Sequence, residues 1–298
     1  MAQSKIVVCG VGLIGGSFAL ALKKSALALR RPLRVVGMGR TRAPLEQALK
    51  LGVIDEIATD WAQALRGADL VLLGMPVGQM PAVMRALLPH LESHTIVTDG
   101  GSTKGDVVAA ARAAFGDRIT QFVPGHPIAG AEKSGVAAAT ADLYRGKRVV
   151  LTPLPENAPA DVAAVRAVWQ LCGAKVSQLA PDAHDRVFAA VSHLPHLLAF
   201  ALVHDLAGRD NADQLFGFAA GGFRDFTRIA SSHPEMWRDI CLANRTALLA
   251  ELDAYMAELL KTRVLLASAD GGGLEAMFAT ARARRDAWLD SLAPLPGE

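Results

Sequence analysis

Short apolar runs alternate with helical stretches from Lys5 to about residue 180, and beyond that point the strand pattern stops. Apolar runs at 5–9, 33–38, 70–74, 95–98, 120–123, 148–152 and 175–178 read as strands, being short and flanked by turn-forming residues. Amphipathic segments such as 44–50 and 80–88 lie between them, and a helix at 160–172 follows the loop marked by Pro153, Pro155 and Pro159. Strand then helix, repeated, predicts a parallel sheet wrapped by helices. After Pro181 the apolar spacing is helical, most clearly over 188–205, 236–260 and 274–292. The expected fold is therefore α/β: a parallel-sheet domain over 1–180 followed by an all-helical domain over 181–298. The long apolar stripes of the second domain need cover, and a partner subunit would supply it, so a homodimer through the helices is expected.

Composition narrows the function classes. The chain has 298 residues, 51% apolar and 20% charged, with a formal net charge of +2, as in ordinary soluble proteins of one or two domains. No long basic block occurs, and Lys23, Lys24, Arg30, Arg31 and Arg34 are spread through a helix and a turn, so nucleic acid is not an expected partner. Cys9, Cys172 and Cys241 are far apart, odd in number and set among apolar residues, which fits reduced thiols and gives no metal-ligand spacing. The apolar run 6–22 is interrupted by glycines and lacks a clean cleavage site, so it does not read as a signal peptide. A cytoplasmic protein without a membrane partner is expected.

The glycines of that run carry the first chemistry. Lys5-Ile6-Val7-Val8-Cys9 leads straight into Gly10-Val11-Gly12-Leu13-Ile14-Gly15, and a helical pattern opens at once. Strand, glycine loop and helix in that order form the Rossmann dinucleotide fingerprint: a tight turn, a close approach to the pyrophosphate, and a close helix–strand contact, with the helix N-terminus attracting the phosphates. An NAD site would place a carboxylate at the end of the second strand for the ribose 2′-hydroxyl. Here no acid precedes Glu46, and Gly39 is followed by Arg40-Thr41-Arg42. Guanidinium groups bind a phosphate bidentately, so NADP is favoured and NAD remains possible. The expected cofactor set is Gly10, Gly12, Leu13, Ile14, Gly15, Arg40, Thr41, Arg42 and Pro76.

A second constellation sits at 125–135, where His126 and Glu132 stand six residues apart in a glycine-punctuated stretch expected to be a loop. It is preceded by Asp99-Gly100-Gly101-Ser102-Thr103-Lys104-Gly105. The helical half adds Ser192-His193-Leu194-Pro195-His196, Gly221-Gly222-Phe223-Arg224-Asp225-Phe226-Thr227-Arg228 and Met236-Trp237-Arg238-Asp239. In combination, from Lys5 to about Leu260, these segments resemble the prephenate/arogenate dehydrogenase family of tyrosine biosynthesis.

That resemblance implies oxidative decarboxylation of a small cyclohexadienyl substrate to a phenol, with hydride passing to the nicotinamide cofactor. It implies that His126 binds the ring hydroxyl and removes its proton, a task suited to a neutral imidazole. Ser102 is implied to orient His126 or that hydroxyl, and Arg228 to hold one of the two substrate carboxylates. His193, Gly221 and Trp237 are implied in the substrate pocket, whereas His196, one helical turn on, reads equally as core. Arogenate carries an ammonium where prephenate carries a ketone, so Glu132 tilts the expectation toward arogenate or dual use.

Two other readings fit the sequence less well. A β-hydroxyacid dehydrogenase would need a catalytic lysine in the second domain, and 181–260 contains none. A non-catalytic NADPH-binding sensor would have no need of His126, Ser102 and Arg228 together. Because the sheet begins at Lys5 and few residues follow Leu260, neither a chorismate mutase nor a regulatory domain is expected. Inhibition by tyrosine would then be competitive.

Overall fold

The computed structural model describes residues 4–131 and 133–292. The first half runs β1 (Ser4–Cys9), α1 (Leu13–Ala28), β2 (Leu33–Met38), α2 (Arg42–Lys50), β3 (Glu56–Ile57), α3 (Trp61–Leu65), β4 (Leu70–Leu73), α4 (Met80–Leu87), β5 (Ile96–Asp99), α5 (Gly105–Phe115) and β6 (Phe122–Val123). It continues with β7 (Gly125–Pro127), β8 (Arg148–Leu151), α6 (Pro159–Leu171) and β9 (Lys175–Gln178). Six strands form one parallel sheet in the order β3-β2-β1-β4-β5-β6. Chain direction across the sheet reverses between β1 and β4, which opens a crevice at their carboxyl ends, the usual ligand position in such folds.

The central strands are apolar throughout because both faces are covered. Ile6 and Val8 of β1 belong to one core with Phe18 of α1 and Trp169 of α6, whereas Val7 and Cys9 belong to the other with Met80 and Met84 of α4. Phe18 meets Trp169 edge-on, ring centroids 4.8 Å apart.

A second sheet, β7-β8-β9, departs from expectation. The stretch carrying His126 is not simply a loop: β7 pairs antiparallel with β8, His126 lying opposite Val150. Its three residues, two of them Gly and Pro, gave no alternating pattern to read. β3, two residues long, escaped for the same reason. Residues 120–121 of the expected sixth strand are instead the end of a 3-10 turn, Gly116–Gln121.

The rest is helical: α7 (Pro181–Phe188), α8 (Leu194–Ala207), α9 (Ala212–Gly217), α10 (Gly221–Thr227), α11 (Pro234–Ala243), α12 (Arg245–Ala267) and α13 (Gly271–Asp290). A π-turn, Ala189–His193, joins α7 to α8. Pro195 lacks an N–H and crowds the preceding turn, and the wider π geometry accommodates it while the chain stays helical. The resulting run Pro181–Ala207 is long and apolar enough to cross a membrane by length and composition. Its inner face nevertheless carries buried His184, Asp185 and His193. The single helix expected over 236–260 is broken at Asn244, which caps α11.

Two compact units result, 1–248 and 249–298. In the second, Asp270 caps α13 by accepting from the Gly273 amide at 2.9 Å, and no described residue of α13 is buried.

Candidate active site

Three glycines turn β1 into α1, each for its own reason. Gly10 has φ +89°, and a Cβ there would lie 2.8 Å from the Met75 amide nitrogen. A Cβ on Gly15 would lie 2.2 Å from the Gly10 carbonyl oxygen. Gly12 faces open space, with nothing within 4 Å of an added Cβ. No side chain caps α1 and no acid occupies its first turn, so its first amides suit an anion. These residues fit a dinucleotide pyrophosphate. The Tyr144 hydroxyl donates to the Ile14 carbonyl oxygen at 2.6 Å and fixes the loop from behind. Pro76 is exposed in the turn after β4, across the crevice from the glycine loop. Arg40 and Thr41 follow β2 and Arg42 opens α2; all three are exposed, and Arg42 Nε is held by Glu46 at 2.7 Å.

His126 is built onto the sheet by the turn between β5 and α5. Asp99 Oδ1 accepts the Gly125 amide at 2.9 Å, and Lys104 Nζ donates to the Gly125 carbonyl oxygen at 2.7 Å. Lys104 and Asp99 form an ion pair with both side chains wholly buried. A pair so placed leaves a costly unpaired charge if either member is removed. Ser102 lies within this turn, between Gly101, whose amide bonds Asp99 at 2.8 Å, and Thr103, which is buried. The glycine loop closes on the same place, since a Cβ on Gly100 would lie 3.1 Å from Ile14 and 3.6 Å from Pro127.

The helices supply the other side. His126 Nδ1 lies 2.8 Å from His184 Nε2, and His184 Nδ1 lies 2.8 Å from Asp185 Oδ1. Burial, reinforced by His184, Lys104 and His193, holds the His126 imidazole well below its ordinary pKa, so it is neutral near pH 7. Burial also depresses His184 and takes His193 down to about 4. His193 is turned inward: Asn244 Nδ2 donates to its Nδ1 at 3.1 Å and to the Asp185 carbonyl oxygen at 2.7 Å.

His196 stacks on Trp237, ring centroids 3.6 Å apart and planes 18° from parallel. Its Nδ1 donates to the Ser192 carbonyl oxygen at 2.9 Å. Burial first, with the charge of Arg228 adding, lowers the His196 pKa. Arg228 is exposed just past α10, which Gly221 opens. A Cβ on Gly78 would lie 3.0 Å from Asp239 Oδ2, so α11 closes against the turn that carries Pro76. Glu132 lies outside the described residues.

A glycine loop poised for a pyrophosphate and a neutral histidine at the same sheet edge are the pieces of a hydride-transfer site. The family model described as the prephenate dehydrogenase nucleotide-binding domain matches residues 18–178, and the prephenate dehydrogenase dimerization domain matches 180–280. The chain belongs to the prephenate dehydrogenase family. It is 40% identical to prephenate dehydrogenase of Bacillus subtilis, covering 95% of this chain and 76% of the relative. Identity to cyclohexadienyl dehydrogenase of Zymomonas mobilis is 36%, over 89% of each. Among solved structures, prephenate dehydrogenase from A. aeolicus in complex with hydroxyphenyl propionate and NAD+ superposes with a TM-score of 0.88 at 36% identity, covering 96% of this chain and 99% of that one. Synechocystis arogenate dehydrogenase gives 0.80 at 30%, covering 95% and 99%.

As a family member the chain is an NAD(P)-dependent oxidoreductase. Sequence reading assigns no role to five buried polar residues of the candidate site: Asp99, Lys104, His184, Asp185 and Asn244. Asp99 and Lys104 stood in a segment already singled out and gave a signal, opposite charges five residues apart in a glycine-rich turn. His184 and Asp185 gave none, because their partner His126 is 58 residues away from His184. His193 and His196 share one motif, yet the structure turns the first onto Asn244 and the second onto Trp237.

Proposed function

We propose that this chain oxidatively decarboxylates a cyclohexadienyl acid in tyrosine biosynthesis, arogenate or both arogenate and prephenate, with NADP favoured over NAD. The observation that carries the reading is the neutral His126 held on β7 beside the glycine loop. The cofactor, when bound, supplies the hydride acceptor. The chain's own residues then manage one proton and one carboxylate. His126 takes the proton of the ring hydroxyl as the carbon bearing it becomes a carbonyl, and Ser102 orients His126 or that hydroxyl. The ring carboxylate leaves as carbon dioxide, its bonding pair passing through the ring to the carbonyl oxygen, which recovers the proton from His126 as a phenol. Aromatisation makes the sequence effectively irreversible.

Arg228 holds a substrate carboxylate, with Trp237, His193 and Gly221 completing the pocket. Glu132 pairs with the arogenate ammonium. Arg40 and Arg42, with no acid between Gly39 and Leu45, support the NADP preference. The same reading takes 1–180 as the cofactor domain, 181–298 as the domain that pairs in a homodimer, and the cytoplasm as the place of action. The exposed apolar side chains of the helices, Leu260, Val264 and Phe278 among them, support the pairing. Initial rates of reduced-cofactor formation, crossing prephenate and arogenate with NAD and NADP, test it. The fastest pairing should be arogenate with NADP, and no turnover in any pairing would refute the activity.

A further inference from the structure

His126 stands at the end of a buried chain of hydrogen bonds that begins at a helix N-terminus. Asp185 Oδ1 accepts the Lys104 amide at 2.8 Å and Oδ2 the Gly105 amide at 2.7 Å. These are the amides of the N-cap and of the first residue of α5, where a helix favours an anion. Burial pulls the Asp185 carboxyl up, but the bonds from His184, Gly105 and Lys104 outweigh it and hold the group below its ordinary value. Asp185 is therefore an ionised carboxylate, which can only accept. His184 Nδ1, 2.8 Å from Oδ1, must carry a proton.

A neutral imidazole has one N–H, so His184 Nε2 is bare and accepts. The atom opposite it, at 2.8 Å, is His126 Nδ1. That nitrogen must donate, and a neutral His126 is left with its lone pair on Nε2. The other tautomer would set two bare nitrogens against each other in a buried site. Phe188 packs against both rings, centroids 4.4 Å from His184 and 5.0 Å from His126, and holds them in register.

We propose that Asp185, acting through His184, selects the His126 tautomer whose bare Nε2 receives the substrate's hydroxyl proton, so that His184 and Asp185 are positioning residues of the reaction. This rests on the reading of His126 as the base. It adds a three-residue orienting chain, Asp185–His184–His126, in which the second imidazole replaces direct contact between carboxylate and base. The arrangement obeys the rule by which a buried carboxylate fixes a catalytic imidazole elsewhere.

The test compares His184→Gln with His184→Phe. Glutamine keeps an acceptor for the His126 Nδ1–H and loses the ring; phenylalanine keeps the ring against Phe188 and loses the acceptor. The phenylalanine variant should lose about 100-fold or more in kcat with KM within about threefold, as expected when a base is left in the wrong tautomer. The glutamine variant should recover at least about tenfold of that loss, since it restores one acceptor. NADPH binding followed by fluorescence should be unchanged in both. A purely packing role predicts the reverse order, and a phenylalanine variant as active as the parent or more active than the glutamine variant would overturn the proposal.

A second readout needs no turnover. In the parent labelled with nitrogen-15 histidine, the resonances lost in His126→Asn should show Nδ1 protonated and Nε2 bare. Protonated Nε2 would overturn the tautomer assignment. A parent that turns over neither substrate would refute the activity while leaving this spectrum to judge the orienting chain.

Discussion

His196 lies flat against Trp237, with ring centroids 3.6 Å apart and planes 18° from parallel. The two rings belong to α8 and α11, so this contact helps fasten one helix to the other. Trp237 is 8% exposed. Trp237→Ala should cost about 3–5 kcal/mol, as for other buried tryptophans. Trp237→Phe, which keeps a stacking face, should cost less than about 1.5 kcal/mol. Chemical denaturation of both variants checks the order, and equal losses would show that the stack contributes nothing.

Glu132→Gln removes a carboxylate while keeping size. If it pairs with the arogenate ammonium, kcat/KM for arogenate should fall about tenfold, the equivalent of about 1.4 kcal/mol, while that for prephenate stays level. An unchanged ratio of the two specificity constants would remove Glu132 from substrate choice.

Arg40→Ala combined with Arg42→Ala should weaken NADP binding about 10- to 100-fold, the scale for losing charge-assisted bonds to a phosphate. NAD binding should change little, because NAD has no 2′-phosphate to lose. Titration of both cofactors against the double variant decides it; equal losses would mean that the arginines serve the common part of the dinucleotide or only face solvent.

Acid should destabilise the fold through its buried imidazoles. His126, His184 and His193 all have folded pKa values lowered, chiefly by burial, His193 to about 4. In the unfolded chain each titrates near 6.5. The unfolded state therefore binds more protons in the window from about 6.5 down to the folded values, and stability is lost as pH falls through it. Above about pH 6.5 these groups contribute no pH dependence. Each imidazole contributes at most about 1.4 kcal/mol per pH unit, so Tm should fall by several degrees between pH 7 and pH 5.5. A flat Tm across that range would contradict the burial argument.

The fold was legible where physical constraints act locally. Ile6 to Cys9 is apolar on both faces because the strand is buried on both, and Gly10, Gly12 and Gly15 are spaced by the turn they must make. β7 was not legible, since a strand of Gly-His-Pro has no alternation, and its place is set by Asp99 and Lys104 of another segment. The split helix at Asn244 was missed because a polar residue between apolar turns reads as a surface position. Its side chain instead serves Asp185 and His193. For the candidate site, the motif points to His126 and Ser102, whereas His184 and Asp185 become visible only when folding brings them to His126.

The central claim, that His126 moves the proton at this sheet edge, is tested most directly by His126→Asn assayed beside the parent with arogenate and NADP. Asparagine keeps a polar side chain near the Nδ1 position and cannot act as a base. The variant should bind NADPH as the parent does and lose about 100-fold or more in kcat, the usual scale for an acid/base group. Unimpaired turnover would contradict the account and remove His126 from the chemistry.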